Sequence, residues 1–203
     1  QYFDRSLELD NNKKTEADKA KYLKHYNKIT RPNYGYLALV YDSTTNFGLS
    51  IGGLKNKNIG VYFTLRANKD VFNFSDITID NSLKTEGLQV SDGYVNYAHE
   101  NKAGLADAVF GLTKKIVYPL WIYGGGGVTY SQTYFKLNEM NIDNTLRDTH
   151  WARNTDEMNF KPMAEAGLII NVHPLHLRGG VKTNEFKEFN RLYYSVGIGF
   201  SWK

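Results

Sequence analysis

The sequence predicts an all-β fold, an eight-stranded antiparallel transmembrane β-barrel built as an up-and-down meander, with a short N-terminal helix. Three observations predict it. From Tyr34 onward, apolar residues recur with a period of two. The runs with that period number eight, an even count. Several turns between them are short and two are long, the layout of a membrane barrel with turns at one end and loops at the other.

Composition narrows the alternatives. The chain has 203 residues, with 15 Tyr, 11 Phe, 3 Trp and 18 Gly. Mean hydropathy is −0.49, and no run approaches the ~18 apolar residues of a spanning helix. The absence of cysteine excludes a disulfide scaffold, a Cys-ligated zinc, a thiol nucleophile and an acylated N-terminal Cys. Gln1 is read either as a mature terminus after leader cleavage or as a chain without a leader.

The net charge of +4 is concentrated. Residues 13–28 hold six Lys against Glu16 and Asp18, and the remainder is balanced at 19 cations and 19 anions. This stretch is the one clear helix expectation: Thr15 can cap it, Ala20, Leu23 and Tyr26 form a narrow apolar stripe, and Pro32 ends it. Residues 1–33 are therefore read as a periplasmic segment and 34–203 as the barrel. A solvated helix with one docking face is the plainer reading, and a helix at an anionic surface the sharper one. Nucleic acid is not expected as a partner, because no basic patch interleaved with aromatics exists elsewhere.

Strands are expected at about 34–42, 46–54, 59–68, 105–114, 119–136, 160–172, 175–183 and 190–202. Phe47, Leu49 and Ile51 alternate with Gly48, Ser50 and Gly52. Val61, Phe63 and Leu65 alternate with Tyr62, Thr64 and Arg66, and Tyr194 to Trp202 alternate with Ser195, Gly197, Gly199 and Ser201. Short turns fall at 55–58, 115–118 and 173–174, and long outer loops at 69–104 and 137–159.

The second face decides between lipid and water outside. A solvated exterior would carry Lys, Glu and Thr at most positions. Instead this face is Gly and Ser interrupted by Arg66, Asp107, Glu165, His176, Arg178, Lys182 and Arg191. That mixture suits a narrow lumen in which buried charges pair. Tyr34, Tyr41, Tyr118, Trp121, Tyr134, Tyr194 and Trp202 fall near strand ends and are expected to form interfacial girdles.

Three stretches carry a family resemblance: YPLWIYGGGGVTYSQTY (118–134), EAGLIINVHPLHLRGGVKTN (165–184) and YYSVGIGFSWK (193–203). They resemble the small outer-membrane β-barrel proteins common in Bacteroidota, well over 105–203 and loosely over 34–68. The resemblance implies an outer-membrane barrel and carries no catalytic signature. The last strand also resembles the signal read by the outer-membrane insertion machinery, with Phe200 and Trp202 in its aromatic positions, although Lys203 follows them.

The remaining motifs favour structural readings. Gly124 to Gly127 precede Val128-Thr129-Tyr130, which is strand, so no helix follows to make a phosphate loop. Pro174 between His173 and His176 excludes a helical metal pair. The loop carboxylates (Asp76 and Asp80; Asp143, Asp148, Asp156 and Glu157) lack the spacing of a calcium loop. His99 and His150, with Ser91 or Ser131 as nominal hydroxyls, are the only candidates for a lipid-A acyl-group enzyme. No catalytic residue, metal or cofactor is expected.

The loop 69–104 is too apolar to be idle, so either strands extend past the membrane or the loop packs on something. The expected function is a non-enzymatic structural or interaction protein, an accessory subunit of an outer-membrane complex, touching lipid, lipopolysaccharide and a protein partner. Phe72, Phe74, Tyr94 and Tyr97, with Leu23 and Tyr26 on the helix, are the expected contact residues. A lipid-A-modifying enzyme and a soluble ligand-binding barrel are the alternatives.

Overall fold

The computed structural model describes residues 15–21, 33–44, 46–80, 85–86, 90–184 and 192–203. Residues 15–21 are helical and exposed; the rest of the expected helix 13–28, with Leu23 and Tyr26, lies outside the described residues. Ten strands follow: β1 (Tyr34–Asp42), β2 (Phe47–Leu54), β3 (Gly60–Ala67), β4 (Thr78–Ile79), β5 (Thr85–Glu86), β6 (Gly93–Val117), β7 (Leu120–Asn141), β8 (Leu146–Val172), β9 (Leu175–Thr183) and β10 (Tyr193–Trp202).

Eight of them close a ring. The order β8-β7-β6-β3-β2-β1-β10-β9 returns to β8 through the β8–β9 pairing, and each of these eight strands pairs with its neighbours in the chain. All ring pairings are antiparallel, so the expected meander is what forms. Closure removes the sheet edges that lipid could not satisfy. Strands of 8–10 residues such as β1, β2, β9 and β10, tilted as barrel strands are, span the ~25 Å apolar band of such a membrane protein.

The alternation places polar atoms inside. In β3, Tyr62, Thr64 and Arg66 are buried while Val61, Phe63 and Leu65 are exposed. In β10, Ser195 and Ser201 are buried while Val196, Ile198 and Phe200 are more than half exposed. A water-soluble barrel would reverse this, so the wall is built for lipid. No helix among the described residues is long and apolar enough to cross a membrane.

The expected outer loops need correction. Residues 93–104 belong to β6, and 137–159 form the upper arms of β7 and β8, joined by a turn at 142–145. Beyond Ala106, the last β6 partner of β3, the three strands rise past the ring as a tall sheet. Its arm on β6 adds about 13 residues, or roughly 40 Å along the strand. Two irregularities hid this extension. β6 gains residues relative to β7 between Tyr97 and Asn101, where His99 takes φ 57°. Between Gln132 and Tyr134 of β7 the partner on β8 jumps from Met158 to Arg153. Bulges shift the phase of the alternation, and above the membrane neither face is uniformly apolar.

The segment between β3 and β6 packs on this sheet. A 3₁₀ turn (Lys69–Phe72) lies against Gly104 of β6, whose missing Cβ would meet the Val71 backbone. Asn68 pins it: its Oδ1 accepts from Val71 N at 3.1 Å and Leu105 N at 2.9 Å, and its Nδ2 donates to Ala103 O at 2.7 Å. The chain then reaches β8, where β4 pairs in parallel with Arg153 and Asn154. Ile77 and Ile79 meet Val95, Phe135, Leu137 and Ala152 in a second small core.

The glycine bands are floors for tyrosine rings. A Cβ on Gly111 would lie 2.3 Å from the Tyr62 ring and one on Gly125 2.6 Å from the Tyr62 hydroxyl. One on Gly180 would lie 2.4 Å from the Tyr123 hydroxyl, whereas Gly179, on the outer face, meets nothing within 4 Å. Gly180→Val is expected to cost about 1–3 kcal/mol by overpacking, and Gly179→Val to be near neutral. Urea unfolding of both variants in detergent, followed by tryptophan fluorescence, checks the contrast.

Candidate functional site

The lumen is filled in layers. At the short-turn end, Tyr34, Tyr36, Trp121, Tyr123 and Ile169 pack together as one buried cluster. Tyr62 and Tyr123 meet edge to face, with centroids 5.5 Å apart. The Arg178 guanidinium lies 4.1 Å from the Tyr123 centroid and 5.3 Å from that of Tyr62. The two rings thus border the guanidinium while its nitrogens bond to other side chains.

Glu165 joins two arginines. Its Oε1 accepts from Arg178 Nη2 at 2.9 Å and its Oε2 from Arg66 Nη2 at 2.8 Å, with all three side chains fully buried. Arg178 Nη1 also donates to Ser50 Oγ at 2.5 Å and Thr64 Oγ1 at 3.2 Å. Toward the tall sheet, Lys182 Nζ lies 2.5 Å from Asp107 and 2.6 Å from Asp42. Arg66 Nε completes the group at 3.5 Å from Asp107 and 3.7 Å from Asp42. Three anions thus face three cations, and the cluster is neutral.

Of the expected lumen residues, Arg66, Asp107, Glu165, Arg178 and Lys182 converge in this network. His176 is buried but apart from it, stacked on Tyr36 with centroids 4.0 Å apart. Arg191 lies outside the described residues. The sequence reading missed Asp42, which also accepts from Thr44 Oγ1 and from Thr44 N at 2.9 Å. Its signal was present, since Asp42 continues the inward period of Tyr34, Tyr36, Ala38 and Val40.

The girdle expectation needs partial correction. Tyr41, Tyr118, Tyr194 and Trp202 are exposed on the wall, but Tyr34, Trp121 and Tyr134 are buried. Tyr34 and Trp121 point into the lumen because they fall on the inward parity of their strands. Tyr134 lies among Arg153, Lys102 and the 3₁₀ turn, with Lys102 Nζ 5.9 Å from its ring, 4.2 Å from that of Trp151 and 3.4 Å from Asp70.

A cavity of about 180 Å³ opens at the tall end, lined by Asn46, Asp107, Thr129, Ser131, Lys161 and Lys182 among others. Among the contact candidates, Phe74 is 88 % exposed, Phe72 63 % and Tyr94 44 %. Tyr94 donates to Asn144 Oδ1 at 2.6 Å, bracing the tip of the sheet. Tyr97 instead packs edge-on against Phe135. Ile142 and Leu146, whose apolar character already marked 137–159 in the sequence, are exposed at the tip. There Asp143 accepts from Thr145 N and Oγ1 at 3.0 and 2.6 Å, which holds its carboxyl below the usual carboxylate range.

His150 Nε2 lies 3.3 Å from Glu139 and 3.7 Å from Asp148, and His99 packs against the Tyr97 ring. Among the described residues no cluster of three His, Cys, Asp or Glu is placed to hold a metal ion.

No family model matches the chain, and no curated protein matches it. Solved structures do. The N-terminal β-barrel domain of Pseudomonas aeruginosa OprF matches at 10 % identity and a TM-score of 0.44, over 85 % of this chain and 99 % of that one. Ail, the attachment invasion locus protein of Yersinia pestis, matches at 15 % and 0.43, over 84 % and 96 %. Neisserial surface protein A matches at 12 % and 0.33, over 83 % and 91 %.

Removing the bridging carboxylate strands two guanidinium groups. Glu165→Ala is expected to destabilise the barrel by about 3–5 kcal/mol. The measurement is the urea midpoint in detergent; a loss under 1 kcal/mol would mean the arginines find other partners.

Proposed function

We propose that the chain is a non-enzymatic barrel of the bacterial outer membrane that presents its tall sheet, on the cell exterior, to a protein partner. The N-terminal segment is then periplasmic, because β1 begins and β10 ends at the short-turn end of the barrel. One observation carries the reading: the material the chain invests beyond the membrane is an ordered three-stranded sheet tipped by exposed Tyr94, Ile142 and Leu146, with exposed Phe74 lower down on the segment packed against it. Several large apolar side chains left exposed on one water-facing extension mark it as a contact surface.

The outer-membrane placement is supported by the lipid-facing wall, since only helices and closed barrels satisfy their backbones in lipid. The lumen supports a surface role rather than a pore, because rings and paired charges occupy it. The non-enzymatic reading is supported by the contacts of the histidines at this end, which are carboxylates and a ring rather than a hydroxyl.

Phe74→Asp combined with Ile142→Asp is expected to leave a heat-modifiable barrel while reducing the proteins that co-purify in mild detergent about tenfold. Unchanged co-purification would count against the tall sheet as the contact surface. His99→Ala with His150→Ala is expected to leave the lipid A mass profile unchanged; an altered profile would restore the enzyme reading.

A further inference from the structure

Outward-facing residues form rows across the wall that the pairing registers define. The row nearest the tall sheet runs Phe47, Ala67, Ala106, Tyr130, Phe160: large, small, small, large, large. The next runs Leu49, Leu65, Ala108, Val128. The third runs Ile51, Phe63, Phe110, Gly126, and is large as far as β6. Ala67, Ala106 and Ala108 therefore leave a notch over β3 and β6, with Phe47 on one side, Tyr130 and Phe160 on the other, and Phe63 below.

The notch measures about 690 Å³, and its wall is almost wholly apolar. Phe72 of the 3₁₀ turn stands at its upper end. Side chains at i and i+3 of a 3₁₀ turn eclipse, so Lys69 shares the face of Phe72. A cation is thus carried beside an apolar slot at the level where the wall ends. An acyl chain in the slot with a phosphate at its head matches both the shape and the charge. A bare protein strand would leave Lys69 facing lipid.

We propose that this notch holds one acyl chain of lipopolysaccharide, with Lys69 beside a phosphate of its headgroup. The choice of lipopolysaccharide over a glycerophospholipid rests on the outward orientation proposed above, which puts the notch in the outer leaflet.

The test is native mass spectrometry of the full-length protein extracted from outer membranes in mild detergent. Lipopolysaccharide is expected to remain on the unaltered barrel. Ala106→Phe with Ala108→Phe fills the slot from outside and is expected to reduce retention about tenfold, because close packing in the slot, rather than removal from water, is what holds a chain there in preference to the surrounding lipid. If that variant fails to assemble, Phe72→Ala and Lys69→Glu, on the exposed turn, are each expected to weaken retention. Equal retention by all variants, retention of glycerophospholipid instead, or a polypeptide in place of lipid would each overturn the proposal. A peptide tag inserted at Asp143 reads the orientation separately on whole cells. A buried tag overturns the orientation, whereas an exposed tag with no difference among variants overturns the notch alone.

Discussion

Glu165 between Arg66 and Arg178 is the constraint on which the rest of the lumen depends. A narrow barrel must fill its own interior, and its backbone leaves no route for water to dilute a stray charge. Two arginines on β3 and β9 that share one carboxylate on β8 tie strands on different sides of the ring. The geometry explains the neighbours. Ser50 and Thr64 accept from the Arg178 nitrogen that Glu165 does not reach. The second triad, Lys182 with Asp42 and Asp107, then balances the cluster at the mouth.

The rings follow from the same economy of space. The Arg178 guanidinium sits against the Tyr123 and Tyr62 rings, which themselves meet edge to face. Rings that large fit beside a strand only where the facing strand has no side chain. Hence Gly111 and Gly125 stand under Tyr62, and Gly167 and Gly180 under Tyr123. The four-glycine run at 124–127 is the visible part of this arrangement, with alternate glycines facing in.

The barrel was legible in the sequence because each spanning strand has one wet and one lipid face, which writes a clean period of two. Six of the seven lumen residues were legible for the same reason, since large polar residues stand out among Gly and Ser; five of them join the charge network and His176 stacks on Tyr36. Asp42 was hidden by its place at a strand end, where Asp reads as turn. The tall sheet was legible only in part. The apolar content of 69–104 pointed to strands running past the membrane or to a packed segment, and both occur, but the extent and register of the arms on β7 and β8 were not legible. In Lys136-Leu137-Asn138-Glu139-Met140 both faces are mixed, and the offsets near Tyr97 and Gln132 change the phase. Its core is built from the distant Ile77 and Ile79, which no local pattern could pair with Leu137. The girdle was half legible, because proximity to a strand end does not decide parity.

Asn68 shows how the two halves of the molecule are joined. β3 ends at Ala67, so β6 would present unpaired backbone from Leu105 upward at the level where lipid gives way to water. One asparagine side chain bonds the Leu105 N–H and the Ala103 carbonyl while also capping the 3₁₀ turn. It extends the ladder by a residue's worth of hydrogen bonds without extending the strand. The chain is thereby free to leave the ring and pass to β8, whose edge β4 covers. The height of the sheet is set by three strands that continue. Its attachment is set by the one strand that stops.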